Sequence, residues 1–361
     1  MGHGAPRPQS RGAPPGTPTA RRRSVDRATR SGAVVDAATA PAARPRAGDD
    51  ERVSAPSSAI PEDTPGPDAV AALLRAQAPD LAGLHIRRSL ASGSSNWVFR
   101  LGEDLAVRLP RTEDYAEDLL NEVHWLPHLA PRLPVPVPAI VVVGTPTGEF
   151  PRPWTVVSWV QGEPPGNLTL GQQERFARTL GHVLHTLHGL DPAEAPGGAA
   201  AGGYRRGEPV TDTIDAWADQ AASALADLFD PSAVRTAWSR LREVPPPPAP
   251  PCLVHTDLSA ENLLVDPVGQ VSGVIDFGGF GVGDRSVDYL YAWSMFEAPA
   301  RQVLREEGEV DDATWARARA WAFVGPGLLT IAHYRESMPA RTARLIAMVE
   351  AVAAEVGVRL R

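Results

Sequence analysis

The chain contains no lysine, and all 35 of its basic residues are arginine. P-loop nucleotide hydrolases need a lysine in their GK[ST] motif, so this class of protein is excluded. Schiff-base catalysis on a lysine side chain is excluded for the same reason. Any site that places a cation on a phosphate group must therefore use arginine, whose planar guanidinium donates paired hydrogen bonds.

Cysteine and long apolar runs are also scarce. Cys252 is the single cysteine, so the chain forms no internal disulfide, as is typical of proteins in a reducing cytosol. No apolar run approaches the roughly 20 residues that a bilayer-spanning helix needs. We therefore expect a cytoplasmic protein that does not associate with membranes. The sequence leaves its oligomeric state open.

The negative charge of the chain is unevenly distributed. The formal net charge is −8, yet residues 1–60 carry ten arginines against five acidic residues, a net charge of about +5. The remainder is therefore strongly acidic. An acidic body argues against nucleic acid as a partner and is compatible with a cationic small-molecule substrate.

Composition and periodicity divide the chain into three parts. Residues 1–65 are rich in Pro, Ala, Gly, Arg and Ser without sustained periodicity, which predicts a disordered basic tail. Residues 66–161 predict a short helix and then an antiparallel sheet with one inserted helix. The strands are predicted at 86–90, 97–101, 105–109, 139–143 and 154–159, and the helices at about 67–77 and 114–129.

Residues 162–361 are predicted to be mainly helical. Apolar residues recur at helical spacing over 170–190, 214–227, 232–242, 284–297, 313–332 and 339–356. Short strands are predicted only at 253–254, 263–265 and 271–275, where the polar residues concentrate. The fold class is therefore α+β, with the sheet first and a larger helical part after it.

Three polar side chains stand at fixed offsets within this strand-rich segment. Asp257 follows the apolar pair Leu253-Val254, Asn262 comes five residues later, and Asp276 comes nineteen residues after Asp257. Phosphoryl transfer needs a carboxylate that orients the attacking hydroxyl and accepts its proton. It also needs hard oxygen ligands that hold Mg²⁺ against the phosphates, and carboxylate and amide oxygens serve this purpose.

The segment from His255 to Asp288 resembles the aminoglycoside phosphotransferase family, a group of protein-kinase-like small-molecule kinases. It contains H-x-D-x-x-x-x-N, then I-D-F, then G-x-x-x-x-D at Gly283 to Asp288. The resemblance implies a bilobal protein-kinase-like fold with ATP between the lobes. It makes Asp257 the catalytic base and Asn262 and Asp276 the Mg²⁺ ligands. The residues it makes structural supports of the loop are His255, Asp284 and Asp288.

The same resemblance assigns a nucleotide clamp to the first half of the chain. Arg108 stands where the family has its ATP-binding lysine, and Glu122 is its expected ion-pair partner, with Glu117 as the fallback. The loop between the first two strands is expected to cover the phosphates. The loop residues assigned to nucleotide binding are Ser94, Ser95 and Asn96. The hinge residues expected to meet adenine through their backbone are Ser158, Trp159 and Val160.

Several functions remain open at the level of sequence. An ATP-dependent kinase acting on an aminoglycoside-type or related antibiotic is favoured, with a metabolic kinase for choline-like alcohols, amino alcohols or sugars as the alternative. A nucleotide-binding protein without turnover is a third, because Arg108 replaces lysine. A protein kinase is disfavoured, since Gly283 to Asp288 follows Asp276 too closely for a long activation loop.

Two acidic runs could face a cationic acceptor and so favour the antibiotic interpretation. Solvated helix faces explain such runs equally well. One run consists of Glu297, Glu306, Glu307, Glu309, Asp311 and Asp312, and the other of Asp212, Asp215 and Asp219.

Overall fold

The computed structural model describes residues 64–89, 95–194, 212–246, 251–336 and 338–361. The tail predicted for 1–65 lies outside these ranges except for its last two residues, and Ser94 lies outside them too. Within the described ranges, no helix is both long enough and apolar enough to cross a membrane.

The first half of the described chain forms a five-stranded antiparallel sheet in the order β1-β2-β3-β5-β4. Its strands are β1 (Ile86–Arg88), β2 (Asn96–Leu101), β3 (Leu105–Pro110), β4 (Ile140–Gly144) and β5 (Trp154–Ser158). A tight turn over 102–104 joins β2 to β3, and Gly102 takes a φ of +60° there. Glycine adopts this left-handed conformation without steric cost, which is why the hairpin closes at this residue.

A helix in front of the sheet covers part of its apolar surface. In α1 (Pro67–Gln77), the buried residues Val70, Leu73 and Leu74 follow helical spacing. They join one apolar cluster with Phe99 of β2. The alternation of buried residues along β2 therefore has a helix face to pack against.

A second helix links the sheet to the rest of the molecule. Helix α2 (Glu113–Leu129) begins after Thr112, whose Oγ1 accepts the backbone N–H of Tyr115 at 3.3 Å. Near its other end, the Trp125 ring packs on Phe280 with 4.8 Å between centroids. Trp125 belongs to the larger apolar core of the helical part, so α2 is anchored there.

The second half is mainly helical. Its helices are α3 (Leu170–His188), α4 (Asp212–Ala224), α5 (Pro231–Leu241), α6 (Ala292–Met295), α7 (Ala298–Glu307), α8 (Asp312–Ala322), α9 (Thr330–Tyr334) and α10 (Pro339–Glu355). A π-helical turn at Phe323–Leu329, which contains Pro326, connects α8 to α9.

Two small strand pairs lie within the helical part and carry the motif. β6 (Cys252–Val254) pairs antiparallel with β9 (Gly281–Gly283). β7 (Leu263–Val265) pairs antiparallel with β8 (Val271–Val274). Asp257 thus follows β6, and Asp276 follows β8, so the two strand pairs bring these carboxylates to one place. The α+β class and its order, sheet first and helices after, are confirmed.

One predicted helix is wrong. The pattern over 284–297 predicted a single helix, but the chain makes a 3₁₀ turn at Arg285–Tyr289, then the short α6, and then α7, which was not predicted. Pro299 explains the new start, because proline cannot donate a backbone N–H and is accommodated at the beginning of a helix. Strand β9 was missed too, because three residues with two glycines show no apolar alternation.

Candidate active site

A cleft of about 260 Å³ lies where the sheet, α2 and the two motif loops meet. It brings together residues that are far apart in sequence. The residues that line it are Ser95, Asn96, Arg108, Tyr115, Asp118, Leu119, Glu122, Thr256, Asp257, Asp276, Gly278 and Gly279. One cavity therefore holds the predicted loop residues Ser95 and Asn96, the clamp pair Arg108 and Glu122, and the motif residues Asp257 and Asp276. Asn262 and the predicted hinge do not line it, and Ser94 lies outside the described residues.

Asp288 fixes the backbone of the loop that carries Asp257. Its buried carboxylate accepts the N–H of His255 at 3.0 Å and the N–H of Thr256 at 2.7 Å. Thr256 has a φ of +81°, a left-handed conformation that is costly for a β-branched residue. The two charge-assisted hydrogen bonds offset this strain, and they turn the following residue towards the cleft.

Sequence reasoning missed the third partner of Asp288. His188, at the end of α3, places Nε2 2.9 Å from Asp288 Oδ2. Both side chains are almost fully buried. The two residues are one hundred positions apart, so no local pattern pointed to the pair.

His255 links the two motif loops. Its Nε2 lies 3.1 Å from the carbonyl oxygen of Ile275, and its Nδ1 accepts the N–H of Asp257 at 3.3 Å. Its ring packs edge-on against Phe277 at 4.5 Å. His255 is therefore positioned to hold the loops around Asp257 and Asp276 together.

Asn262 contacts Asp257 directly. Its Nδ2 donates to the Asp257 carbonyl oxygen at 2.9 Å and to Asp257 Oδ2 at 3.1 Å. The 3₁₀ turn Ala260–Asn262 brings the side chain back over the loop. With both amide hydrogens directed at Asp257, the amide oxygen is the atom that is available as a ligand.

Asp276 stands on a strained backbone next to two glycines. Its φ is +65°, and its half-buried carboxylate faces the cleft. A Cβ on Gly279 would collide with the side chain of Thr256, and one on Gly278 would press on Asp118. The glycines therefore allow the loop after Asp276 to lie directly against the loop before Asp257.

Asn121 of α2 holds the same loop from the other side. Its Nδ2 donates to the carbonyl oxygens of Gly278 at 2.9 Å and Phe280 at 2.8 Å. Sequence reasoning missed this residue, because an asparagine on a polar helix face carries no signal of its own. It couples the position of α2 to the loop of Asp276.

The ion pair predicted between Arg108 and Glu122 is present. Arg108 of β3 donates from NH1 to Glu122 Oε2, and its NH2 lies 3.7 Å from Asp276 Oδ1. Burial raises the pKa of Glu122 to about 7, although Arg108 opposes this shift. Burial alone would lower the pKa of Arg108, but Glu122 and Asp276 raise it above its ordinary value. Arg108 thus stays charged between two carboxylates.

In the predicted hinge, Ser158 to Val160, two of the backbone N–H groups are already hydrogen-bonded within the protein. The N–H of Ser158 donates to Ala139 O at 2.9 Å, and the N–H of Trp159 donates to Asp104 O at 2.7 Å. The Arg100 guanidinium stacks 4.0 Å from the Trp159 ring centroid. These two N–H groups already have partners, so adenine would have to use the carbonyl groups of this segment or the N–H of Val160.

Asp284 anchors the 3₁₀ turn that carries Asp288. It accepts the N–H of Ser286 at 3.2 Å and pairs with Arg317 of α8 through Nε at 2.6 Å and NH2 at 3.0 Å. Asp284 and Arg317 are both buried. Arg317 was not predicted, since it lies in a helix far from the motif.

The two acidic runs do not line the cleft. Most of their described carboxylates are paired with arginines instead. The pairs are Asp215 with Arg242, Asp219 with Arg235, Glu307 with Arg178, Asp311 with Arg285, and Asp312 with Arg305. The side chain of Asp212 lies outside the described residues. Most of these acids therefore take part in ion pairs outside the cleft, which agrees with the alternative interpretation of the runs as solvated helix faces.

The donor atoms in the cleft fit Mg²⁺. Asp276 presents a carboxylate that lines the cleft, and Asn262, whose Nδ2 donates to Asp257, has an amide oxygen that would serve as a second ligand. Among the described residues, no cluster of three or more His, Cys, Asp or Glu could enclose a metal ion. Mg²⁺ ordinarily uses only one or two protein ligands and completes its shell with water and substrate phosphates. A site that offers only two protein ligands and leaves room for water and phosphate is therefore suited to Mg²⁺.

The fold and this arrangement define a protein-kinase-like phosphotransferase. Residues 87–321 match the model of the phosphotransferase enzyme family, and the chain belongs to that family. The resemblance predicted from the motif is thereby confirmed. The chain is a kinase that acts on a hydroxyl group of a small molecule.

Individual relatives agree with this assignment. The chain is 25% identical over 246 residues to an aminoglycoside 3'-phosphotransferase of Escherichia coli, covering 64% of this chain and 84% of that protein. It is 29% identical over 224 residues to an aminoglycoside 3'-phosphotransferase of Streptomyces fradiae, covering 58% and 72%.

Solved structures share the fold. The GDP complex of wild-type aminoglycoside 2'-phosphotransferase-IIIa has a TM-score of 0.58 at 19% identity, covering 80% of this chain and 98% of that chain. The macrolide 2'-phosphotransferase MphH of Brachybacterium faecium has a TM-score of 0.53 at 21% identity, covering 79% and 97%. The predicted bilobal protein-kinase-like fold is confirmed.

Proposed function

We propose that this protein transfers the γ-phosphate of ATP to a hydroxyl group of an antibiotic-type small molecule in the cytoplasm. The observation that carries the proposal is that Asp257 and Asp276 line the same cleft as the Arg108–Glu122 pair, with Asn262 hydrogen-bonded to Asp257. In this proposal, residues 66–161 form the nucleotide-binding lobe and residues 162–361 form the catalytic and substrate lobe.

Arg108 is proposed to bind the nucleotide phosphates. Glu122 holds one edge of its guanidinium, and the other edge points to Asp276, so the donors are aimed into the cleft. A guanidinium grips phosphate oxygens with two parallel hydrogen bonds, which a lysine ammonium does not. Ser95 and Asn96 line the cleft beside it and are proposed to cover the phosphates. Related phosphotransferase structures contain GDP or ADP, which supports a nucleotide at this place.

Asn262 and Asp276 are proposed to hold Mg²⁺. When bound, the ion neutralises charge on the phosphates and lowers the barrier to transfer. One guanidinium nitrogen of Arg108 lies 3.7 Å from Asp276 Oδ1, so the cation proposed to bind the phosphates stands beside the proposed metal ligand.

Asp257 is proposed to orient the acceptor hydroxyl and to accept its proton. The hydroxyl oxygen attacks the γ-phosphorus while the bond from phosphorus to the β–γ bridging oxygen breaks. The electron pair leaves with ADP, and the proton passes to Asp257 Oδ. Asn262, which donates to Asp257 Oδ2 at 3.1 Å, holds this carboxylate in place during the step.

The similar proteins indicate the chemical class of the acceptor but not the particular compound. Aminoglycoside and macrolide phosphotransferases are both similar to this chain. Most of the described carboxylates in the acidic runs that favoured a polycationic acceptor are paired with arginines. The proposal therefore keeps the class of antibiotic-type alcohols without selecting the aminoglycosides among them.

The proposal is tested by measuring ADP release with Mg-ATP across aminoglycosides, macrolides, choline-like alcohols and sugars. ATP binding is measured in parallel by calorimetry. Acceptor-dependent ADP release supports the proposal and identifies the acceptor class. ATP binding without release for any acceptor would instead support a nucleotide-binding protein without turnover, for which the replacement of lysine by Arg108 is the motivating observation.

A further inference from the structure

The N-terminal part of α10 lies against the loop that follows Asp257. Arg344 of α10 forms an ion pair with Glu261, which is four residues after Asp257. Arg341 lies three residues before Arg344, and residues at this spacing are neighbours on one helix face. The ion pair therefore also brings Arg341 to the loop, close to Asp257.

Arg341 has hydrogen-bonding capacity that the described protein does not use. Among the described residues it makes one hydrogen bond, a long one of 3.5 Å from NH2 to the hydroxyl of Tyr291. A guanidinium carries five N–H donors, so most of those on this half-buried side chain are available. Burial would lower the pKa of Arg341, but the neighbouring Tyr291, Asp257 and Glu261 raise it. The side chain therefore carries a permanent positive charge that interacts with Asp257 and Glu261.

Arg341 approaches Asp257 from outside the nucleotide cleft. Asp257 lines that cleft, whereas Arg341 and Tyr291 do not. The γ-phosphate must lie on the cleft side of Asp257, so the acceptor must reach this carboxylate from another direction. The side of Tyr291 and the start of α10 offers such a direction, and it carries the unused donors of Arg341.

We propose that Arg341 binds the acceptor, and that the acceptor is an alcohol with a carboxylate next to the hydroxyl that Asp257 activates. This inference rests on the proposed function and narrows its acceptor class. A guanidinium matches a carboxylate with two parallel hydrogen bonds. An ammonium group accepts no hydrogen bond, so it could not use the donors of Arg341, and the positive charge of Arg341 would repel it.

Matched sets of acceptors test the inference. Each set keeps one scaffold and replaces one of its groups, so that its members are neutral, carboxylate-bearing and ammonium-bearing; in the glycerol set the replaced group lies directly beside a hydroxyl. Glucose, glucuronate and glucosamine form one set, and glycerol, glycerate and 3-amino-1,2-propanediol form another, with kanamycin as a polycationic reference. The wild type is expected to show a kcat/KM at least about tenfold higher for the carboxylate member than for the ammonium member.

Two variants of Arg341 make the test specific. Arg341→Ala is expected to raise KM for the carboxylate acceptor about tenfold or more, with KM for ATP unchanged. Arg341→Glu is expected to invert the order, so that the ammonium member becomes the better acceptor. Arg361→Ala is the control, because Arg361 pairs with Glu350 towards the other end of α10. Thermal unfolding of each variant checks that the fold is retained.

Different failures have different meanings. A wild type that prefers kanamycin, glucosamine or the neutral member overturns this inference and leaves the proposed function standing. An Arg341→Ala variant that lowers kcat equally for all acceptors and moves its pH profile shows that Arg341 acts on Asp257, which also overturns it. If the wild type turns over no acceptor in any charge class, the proposed function fails and this inference fails with it.

Discussion

At the scale of the residue, single buried carboxylates fix the positions of the backbone and side chains in this site. Asp288 accepts two backbone N–H groups and contacts His188, and it thereby holds Thr256 at a φ of +81°. The spacing of Asp257, Asn262 and Asp276 could be recognised from the sequence because these residues flank short strands. The supporting residues His188 and Asn121 could not be recognised, because His188 is 100 positions from its partner Asp288 and Asn121 is 157 positions from Gly278.

Replacing Asp288 is expected to cost more than any surface substitution. Asp288→Ala leaves two buried N–H groups without an acceptor, and we expect a loss of about 3 kcal/mol in the free energy of unfolding, measured by urea denaturation. His188→Ala should cost less, because the two backbone bonds remain. His185→Ala, at an exposed position one turn earlier on α3, is the control. Equal costs for Asp288→Ala and His185→Ala would contradict the account.

The raised pKa of Glu122 predicts a pH dependence of stability. Its pKa is about 7 in the folded protein and 4.5 in the unfolded chain, so the folded state binds the proton more tightly. Stability therefore decreases as pH rises from 4.5 to 7 and levels off above that range. Glu122→Gln, which cannot ionise, should lack this slope when both proteins are denatured with urea between pH 5 and 8. Parallel profiles for the two proteins would show that Glu122 is not the group responsible.

At the scale of the element, the site depends on how short pieces are joined. Helices with a clear apolar face, such as α3 and α10, were predicted to within two residues of their ends. The turns and helices from Gly281 to Glu307 were not predicted correctly. Their ends are set by side-chain caps and by Pro299 rather than by the periodicity of apolar residues. Asp284 caps the turn and at the same time ties it to α8 through Arg317.

The Asp284–Arg317 pair is expected to be a major link between these elements. Arg317→Ala removes the partner of a buried carboxylate, and we expect a cost of about 3–5 kcal/mol in unfolding free energy. Arg319→Ala is the matched control on the same helix, because its pair with Glu355 is partly exposed and should contribute about 1 kcal/mol or less. Guanidinium chloride denaturation of both variants measures the difference, and a cost for Arg317→Ala as small as that of the control would refute the link.

Cys252 provides a probe of the β6–β9 strand pair. Burial, with the charge of Asp288 as a second cause, raises the pKa of its thiol to about 12, so the thiol stays protonated at neutral pH. We expect iodoacetamide to label the native protein slowly at pH 8 and to label it rapidly in urea. Because Cys252 is the single cysteine of the chain, mass spectrometry reads this reaction without ambiguity. Rapid labelling of the native protein would mean that β6 does not stay paired.

At the scale of the whole molecule, the two halves of the chain meet through a few long-range contacts. The Arg108–Glu122 pair reaches Asp276, and Asn121 binds the loop that follows it. Local spacing in the sequence predicted the sheet and the helical part, and the predicted residues Asp257 and Asp276 lie in one cleft. The sequence left two interpretations of the acidic runs open, and only the packed structure shows that arginines pair with most of their described carboxylates.

The central claim is that Asp257 accepts the proton of an alcohol in a phosphoryl transfer from ATP. The most direct measurement compares acceptor-dependent ADP release and ATP affinity in the wild type and in Asp257→Ala, with the best acceptor found for the wild type. The account predicts that turnover falls about 100-fold or more while the Kd for ATP changes by less than about threefold. Unchanged turnover in Asp257→Ala would contradict it.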